Sequence, residues 1–292
     1  MNKCPTCTQF RKLDAHLFEL ASFCESLGNS VSYCGDEGKV SVSTETIGQW
    51  LMLAAQLEEV KINTWKFADD SGLYCRPAAD AYDSDMKHYS SYATVLTRFI
   101  FVSNALEEMY RFVVPSYLNH DEIKNKKLRK ASMQAAALVD LCTECELPLH
   151  FHHKIDSLIK SIEACSYINK KPLGGMKGVK KSDISYGLHL IRNIRNYIAH
   201  GVFPIAVNPE WDLDYEALEA LYGVLLNACR AACFYIQILL NKYNQGMQSY
   251  DYDHAASAIG EEFDYFRDHC TPELSLKLHL LGQFSFQAPF EC

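Results

Sequence analysis

Apolar residues recur every three to four positions through most of this 292-residue chain, which is the period of amphipathic α-helices. The pattern predicts helices over residues 10–27, 44–61, 85–114, 121–144, 150–165, 182–200, 212–243 and 252–269, with a short helix at 272–281. Residues 31–43 alternate around Gly35 and Gly38 and predict one small hairpin. We therefore expect an all-α fold.

Breaks in the helical pattern indicate how the chain is divided. Proline and polar residues at 77–84 interrupt the pattern, as does a lysine- and glycine-rich loop after residue 169. We predict an amino-terminal helical region at 1–81, a central helical bundle at 82–247 and a carboxy-terminal helical extension at 248–292. Charged and amide side chains interrupt the most apolar stretch, 217–240, which favours a buried core helix over a membrane span.

The helix predicted at 182–200 has one apolar and one cationic face. Its apolar stripe contains Leu190, Ile191, Ile194, Tyr197 and Ile198. The opposite face contains His189, Arg192, Asn193, Arg195, Asn196 and His200. Ser182 is suited to cap the start and Gly201 to follow the end, so His200 is expected in the last turn, where its side chain can reach outward.

Spacing suggests roles for three residues on this face. Asn196 and His200 are four positions apart, so the amide is expected to orient the imidazole. Arg195 carries a permanent charge on a planar donor fork that matches phosphate oxygens. A cation that stabilises a pentavalent phosphorane and a histidine that moves protons suffice to cleave RNA, whose own 2′-OH is the nucleophile. This scheme requires no metal.

The arrangement Arg195-Asn196-x-x-x-His200, at the end of an amphipathic helix and before another long apolar helix, resembles the R-x4-6-H signature of HEPN domains. The resemblance covers roughly residues 85 to 245 and rests mostly on this short motif. It implies an all-α bundle and a homodimer in which two copies of the motif form a metal-independent ribonuclease site. It also implies 2′,3′-cyclic phosphate and 5′-OH products, and a role as a toxin or antiviral defence effector.

Other interpretations of the same residues stay open. A helix-terminal Arg, Asn and His can be a solvated surface or a structural hydrogen-bond set. The chain could also be a non-catalytic HEPN-like interaction module, or a zinc-stabilised scaffold that binds nucleic acid. The acidic surface further suggests a regulatory protein partner. Signatures of phosphate loops, dinucleotide-binding loops, serine-hydrolase elbows and zinc-protease helices are absent from the sequence.

The formal net charge of −8 argues against a broadly basic nucleic-acid-binding protein, so contacts with RNA must be local. A lysine-rich loop leads into the motif helix, and we expect Lys177, Lys180 and Lys181 to contact RNA together with Arg192. A solubilising loop explains the same lysines equally well. A second basic run contains Lys124, Lys126, Lys127, Arg129 and Lys130, and is more typical of a charged helix face.

Twelve cysteines in a chain that opens without a secretory leader pattern suggest a reducing cytoplasm, where thiols pack in the core or bind metal. Cys4, Cys7, Cys142 and Cys145 form two Cys-x-x-Cys pairs, which together would complete a structural zinc site. Chance occurrence is an equal alternative, and a redox role lacks the βαβ context that it needs. The histidines at 150, 152 and 153 are possible substitute ligands, although a helix start or surface group explains them better.

Overall fold

The computed structural model describes residues 4–35, 38–123, 128–168, 178–212, 214–247 and 266–287. The longer helices in these ranges are α1 (Leu13–Leu27), α2 (Thr44–Gln56), α4 (Arg76–Phe112), α6 (Ala131–Val139), α7 (Phe151–Ala164), α8 (Tyr186–Ala199) and α10 (Tyr215–Tyr243). Four or five residues each form α3 (Ser71–Tyr74), α5 (Val114–Leu118), α9 (Pro209–Asp212) and α11 (Pro272–Ser275). Single 3₁₀ turns occupy Cys7–Gln9, Thr64–Phe67 and Glu144–Glu146. The predicted all-helical class is confirmed.

The predicted hairpin is present between α1 and α2. Strands β1 (Ser30–Gly35) and β2 (Gly38–Ser43) pair antiparallel, with Val31 opposite Val42 and Gly35 opposite Gly38. Val42 is buried, whereas most other hairpin residues are partly or fully exposed. The hairpin therefore joins α1 and α2 without forming a layer of its own.

Helix α10 is the centre of the bundle. It packs against α4 and α7, and also contacts α1, α6, α8 and α11. Among the described helices it is long and apolar enough to cross a membrane, but 83% of its most apolar window is buried inside the protein. This burial agrees with the core helix that the sequence predicts for residues 217–240.

The boundaries of α4 and α2 differ from their predictions for identifiable reasons. Pro77 was expected to interrupt the pattern, but it lies in the first turn of α4, where a missing N–H costs nothing. Helix α4 consequently runs through the boundary predicted at residues 81 and 82. Helix α2 ends at Gln56 because the following segment binds α4: the Val60 amide donates to Thr94 Oγ1 at 2.8 Å and the Ile62 amide to Ser90 Oγ at 3.0 Å.

The helix predicted at 121–144 is reduced to α6 within the described residues. It ends before Asp140, whose carboxylate accepts hydrogen bonds from Ser185. A separate turn then begins at Thr143, which forms a capping box with Glu146. The predicted short helix at 272–281 shrinks to α11, and most of the helix predicted at 252–269 lies outside the described residues.

Candidate functional site

Helix α8 carries the motif and is anchored by its buried face. Leu190, Ile191 and Ile194 lie in the core. Gly187 permits close packing, because a Cβ atom there would lie 2.6 Å from Ile155 Cδ1 and 2.7 Å from the Tyr235 hydroxyl. Tyr197 and Ile198, predicted in the same stripe, are only partly buried because the helix end projects from the bundle. The helix is therefore fixed at its start and more open at its motif end.

The two ends of α8 test the predicted caps. Gly201 has a φ of +67°; its amide donates to Ile198 O, and the Val202 amide donates to Tyr197 O. This pair of bonds is a Schellman motif, which confirms Gly201 as the residue after the cap. The prediction for the start is wrong: the helix begins after Ser185, not Ser182, because Asp140 binds the amide and hydroxyl of Ser185 at 2.9 and 3.0 Å.

The polar face of α8 is not uniformly exposed. His189 was expected on the cationic face, but it is buried, and that burial lowers its pKa to about 4 with a further contribution from the Arg192 charge. His189 is therefore neutral at pH 7 and belongs to the core. The prediction failed because the start of α8 lies deeper in the bundle than its end, so even the polar side of the first turns is covered.

Arg192, Arg195 and Asn196 line one side of a cavity of about 660 Å³ between α4, α6 and α8. We call it the basic cavity; its lining includes Glu107, Lys130, Met133, Arg192, Arg195 and Asn196. Arg192 Nη1 lies 2.8 Å from the Met133 sulfur, a weak acceptor, and its other guanidinium donors have no hydrogen-bond partner among the residues that the structure describes. The Arg195 guanidinium forms no hydrogen bond or ion pair with any residue that the structure describes.

His200 lies outside the lining of the basic cavity. It is exposed at the end of α8, about 7 Å along the axis from Arg195. Within the described residues its ring receives no hydrogen bond from Asn196; the only bond between these residues joins the His200 amide to the Asn196 carbonyl at 2.9 Å. The predicted orienting contact of the Asn196 amide is therefore not formed in this isolated chain.

The loop lysines lie at the opposite end of α8 from His200. Lys180 and Lys181 are exposed, and the Lys181 ammonium is 3.3 Å from Glu163 Oε1. They precede a helix of 14 residues, which separates them from the motif end by about 20 Å. Lys177 lies outside the described residues. The structure thus groups Arg192 with Arg195 and Asn196, and places Lys180 and Lys181 elsewhere.

Cys4 and Cys7 meet a histidine in a second cluster near the start of α7. His153 Nε2 lies 3.7 Å from Cys4 Sγ and 3.5 Å from Cys7 Sγ, and the three ligand atoms all lie within 4.8 Å of one another. The amide of Cys7 lowers the pKa of the Cys4 thiol, whereas burial raises the pKa of the Cys7 thiol, so Cys4 forms the metal-binding thiolate more readily. These three residues can therefore hold a metal ion.

Cys142 and Cys145 are not part of this cluster among the described residues. Cys142 is buried, which raises the pKa of its thiol to about 11, and its Sγ atom lies 3.8 Å from Leu138 O. Cys145 is exposed, with its Sγ atom 3.1 Å from Thr143 Oγ1. The ligand set therefore differs from the predicted four cysteines: His153, named only as a substitute, stands where the second pair was expected.

Sequence reasoning also missed two residues that line the basic cavity opposite Arg192 and Arg195. Glu107 comes from α4 and Lys130 from the start of α6, at 85 and 62 residues before Arg192. The only signal was the basic run that ends at Lys130, which we interpreted as a charged helix face. No protein-family model, curated protein or solved structure matches the chain.

Proposed function

We propose that this protein is a metal-independent endoribonuclease that acts as a homodimer. In this reaction the RNA 2′-oxygen attacks the adjacent phosphorus and the bond to the 5′-oxygen breaks. The 2′-proton passes to a base, and the leaving 5′-oxygen receives a proton. The products are a 2′,3′-cyclic phosphate and a 5′-OH end. His200 would move the protons, and Arg195 would stabilise the charge on the phosphorane.

One observation carries this proposal. The Arg195 guanidinium faces a cavity rich in cations without a partner among the described residues, and an exposed histidine follows it on the same helix end. An arginine that served only stability would be expected to pair with a carboxylate or a carbonyl, as Arg11 and Arg98 do in this protein. The unpartnered donors of Arg195 are suited to phosphate oxygens.

The homodimer is supported by apolar side chains that follow His200. Val202 is exposed two residues after His200, and Ile205, Val207 and Trp211 are exposed farther along the same segment, which bonds to α4 at Tyr92, His88 and Asp85. Exposed apolar groups of this kind commonly mark an interface. A second copy that covers them would bring the two His200 rings toward one cleft, which would also give Asn196 and His200 a closed environment in which to interact.

The test is cleavage of end-labelled RNA by the wild-type protein in EDTA, with sedimentation equilibrium on the same sample. We expect a dimer that produces cyclic phosphate and 5′-OH ends. A substrate with a single 2′-deoxy nucleotide at a mapped cleavage position should resist cleavage there alone, because its nucleophile is missing. Cleavage at the deoxy position, or complete dependence on added metal by protein that remains folded in EDTA, would contradict the mechanism. RNA binding without cleavage would favour the non-catalytic scaffold.

We also propose that zinc is the ion held by Cys4, Cys7 and His153, and that it has a structural role. A tetrahedral zinc with Zn–S of about 2.3 Å and Zn–N of about 2.0 Å places sulfur and nitrogen about 3.5 Å apart. The two observed sulfur-to-nitrogen distances are 3.7 and 3.5 Å. Such an ion would pin the amino-terminal segment to the start of α7.

Replacing His153 by alanine should abolish zinc binding, because two thiolates fill only half of a tetrahedral shell whose fourth position is already open among the described residues. We expect one zinc per wild-type chain by elemental mass spectrometry, none in His153→Ala, and a Tm lowered by about 5 °C or more. His152→Ala is the matched control, since this exposed neighbour contacts Glu144 instead. Equal zinc content in the two variants, or a wild type that binds no zinc, would contradict the site.

A further inference from the structure

The amino end of α6 opens into the basic cavity. Ala131 and Ser132 line it, and the first amides to bond back within the helix are those of Met133 and Gln134, both to Lys130 O. The amides of Ala131 and Ser132 thus precede the first hydrogen-bonded turn. Such free N–H groups, together with the positive end of the helix dipole, favour an anion.

Three cations surround this helix end. Lys130 is the residue before α6, and Arg192 and Arg195 approach from α8. Glu107 is the one acidic residue among the described residues that line the cavity. Three positive charges, one negative charge and a helix amino end give the cavity a net attraction for anions, although the whole chain is acidic.

The Arg195 guanidinium provides a second indication of a ligand. It lines the cavity without a hydrogen bond or ion pair to any residue that the structure describes. Its planar fork of donors is therefore available for phosphate oxygens.

We propose that the basic cavity binds a phosphate group of a nucleotide, seated at the amino end of α6 between Lys130 and Arg192. A cavity of about 660 Å³ has the volume of a small-molecule site and has room for more than the phosphate. That the phosphate belongs to RNA rests on the proposed function. In that case the site holds a phosphate next to the cleaved one and sets the register of the strand against His200.

The test measures binding directly, so it does not depend on cleavage. The probes are a 2′-O-methyl RNA decamer, which has no free 2′-OH to react, and the mononucleotide 5′-UMP. Arg192→Gln should weaken binding by about tenfold or more. It should also make the slope of log K, the logarithm of the association constant, against log salt concentration less steep by about 0.7. Arg76→Gln, an exposed arginine at the start of α4, is the matched control and should bind as the wild type does.

A second variant keeps the test valid if loss of Arg192 disturbs the fold. Ala131→Pro removes one amide donor at the first helical position, where proline is compatible with α6. It should also weaken binding, with an unchanged circular dichroism spectrum. If both variants lose affinity for the decamer but not for 5′-UMP, the site binds a phosphate within a strand. If both variants lose affinity for 5′-UMP as well, the site binds a nucleotide monophosphate.

Wild-type protein that binds neither probe would overturn the phosphate site. Folded Arg192→Gln and Ala131→Pro proteins that bind as tightly as Arg76→Gln would also overturn it. These outcomes are distinct from a failure of the proposed ribonuclease. A protein that binds the decamer through the basic cavity but cleaves no RNA would support the phosphate site and contradict only the catalytic role proposed for His200.

Discussion

Replacing His200 by alanine is expected to reduce RNA cleavage by about 10² to 10⁴-fold, the usual contribution of general acid–base catalysis. The imidazole of His200 is the side chain at the motif end of α8 that can both accept and donate a proton. Its side chain is exposed and supports no core contact, so the variant should keep its fold and its dimer. Initial rates on labelled RNA under single-turnover conditions measure the loss.

The matched control for this variant is His152→Ala, which removes an exposed histidine from a different helix. It should cleave RNA at the wild-type rate. Binding of the 2′-O-methyl decamer should be nearly the same in both variants, because His200 lies outside the lining of the basic cavity. A folded His200→Ala dimer that cleaves RNA within threefold of the wild-type rate would contradict the assigned role.

Replacing Arg11 by methionine should lower the free energy of unfolding by about 3 to 5 kcal/mol, because the variant leaves Glu19 charged and buried. Arg11 and Glu19 form an ion pair with exposures of 8% and 1%. The Arg11 guanidinium also donates to Leu280 O at 2.9 Å and Phe284 O at 2.7 Å. Glu19 accepts the Phe286 amide at 2.8 Å. Urea unfolding followed by circular dichroism measures the change.

Two further variants show whether the buried pair causes the loss. Arg76→Gln breaks an exposed ion pair with Asp80 and should change stability by less than about 1 kcal/mol. The double variant Arg11→Met with Glu19→Leu should be more stable than Arg11→Met alone, since no unpaired charge remains in the core. A loss in Arg11→Met no greater than that in Arg76→Gln would show that the pair is not important for stability.

Prediction from the sequence was most accurate for features that depend on residues within a single helix. The period of apolar residues indicated α7, α8 and α10, and Gly201 marked the end of α8 because a left-handed residue is needed there. Arg192, Arg195 and Asn196 were predicted on one face, and they do line one cavity. These features depend on neighbours within a turn or two, which periodicity can detect.

Features that depend on distant segments could not be predicted in this way. The burial of His189 follows from how deeply α8 enters the bundle, and no local pattern encodes that depth. His153 joins Cys4 across 149 residues, so spacing alone favoured the second Cys-x-x-Cys pair. Lys130 faces Arg192 only because α6 begins beside α8. The sequence did not distinguish Lys130, which lines the cavity, from the other basic residues of its run.

The contacts of Arg11 also determine when this protein can finish folding. The Arg11 amide donates to His279 O, and Phe10 pairs with Leu280, so an early segment docks on one made roughly 270 residues later. During translation, the contacts of Phe10 and Arg11 with residues 279–280 can therefore form only after those residues have been synthesised. Pairing over such a distance slows folding. Until then, a nascent chain would expose the residues before α1 that this contact covers.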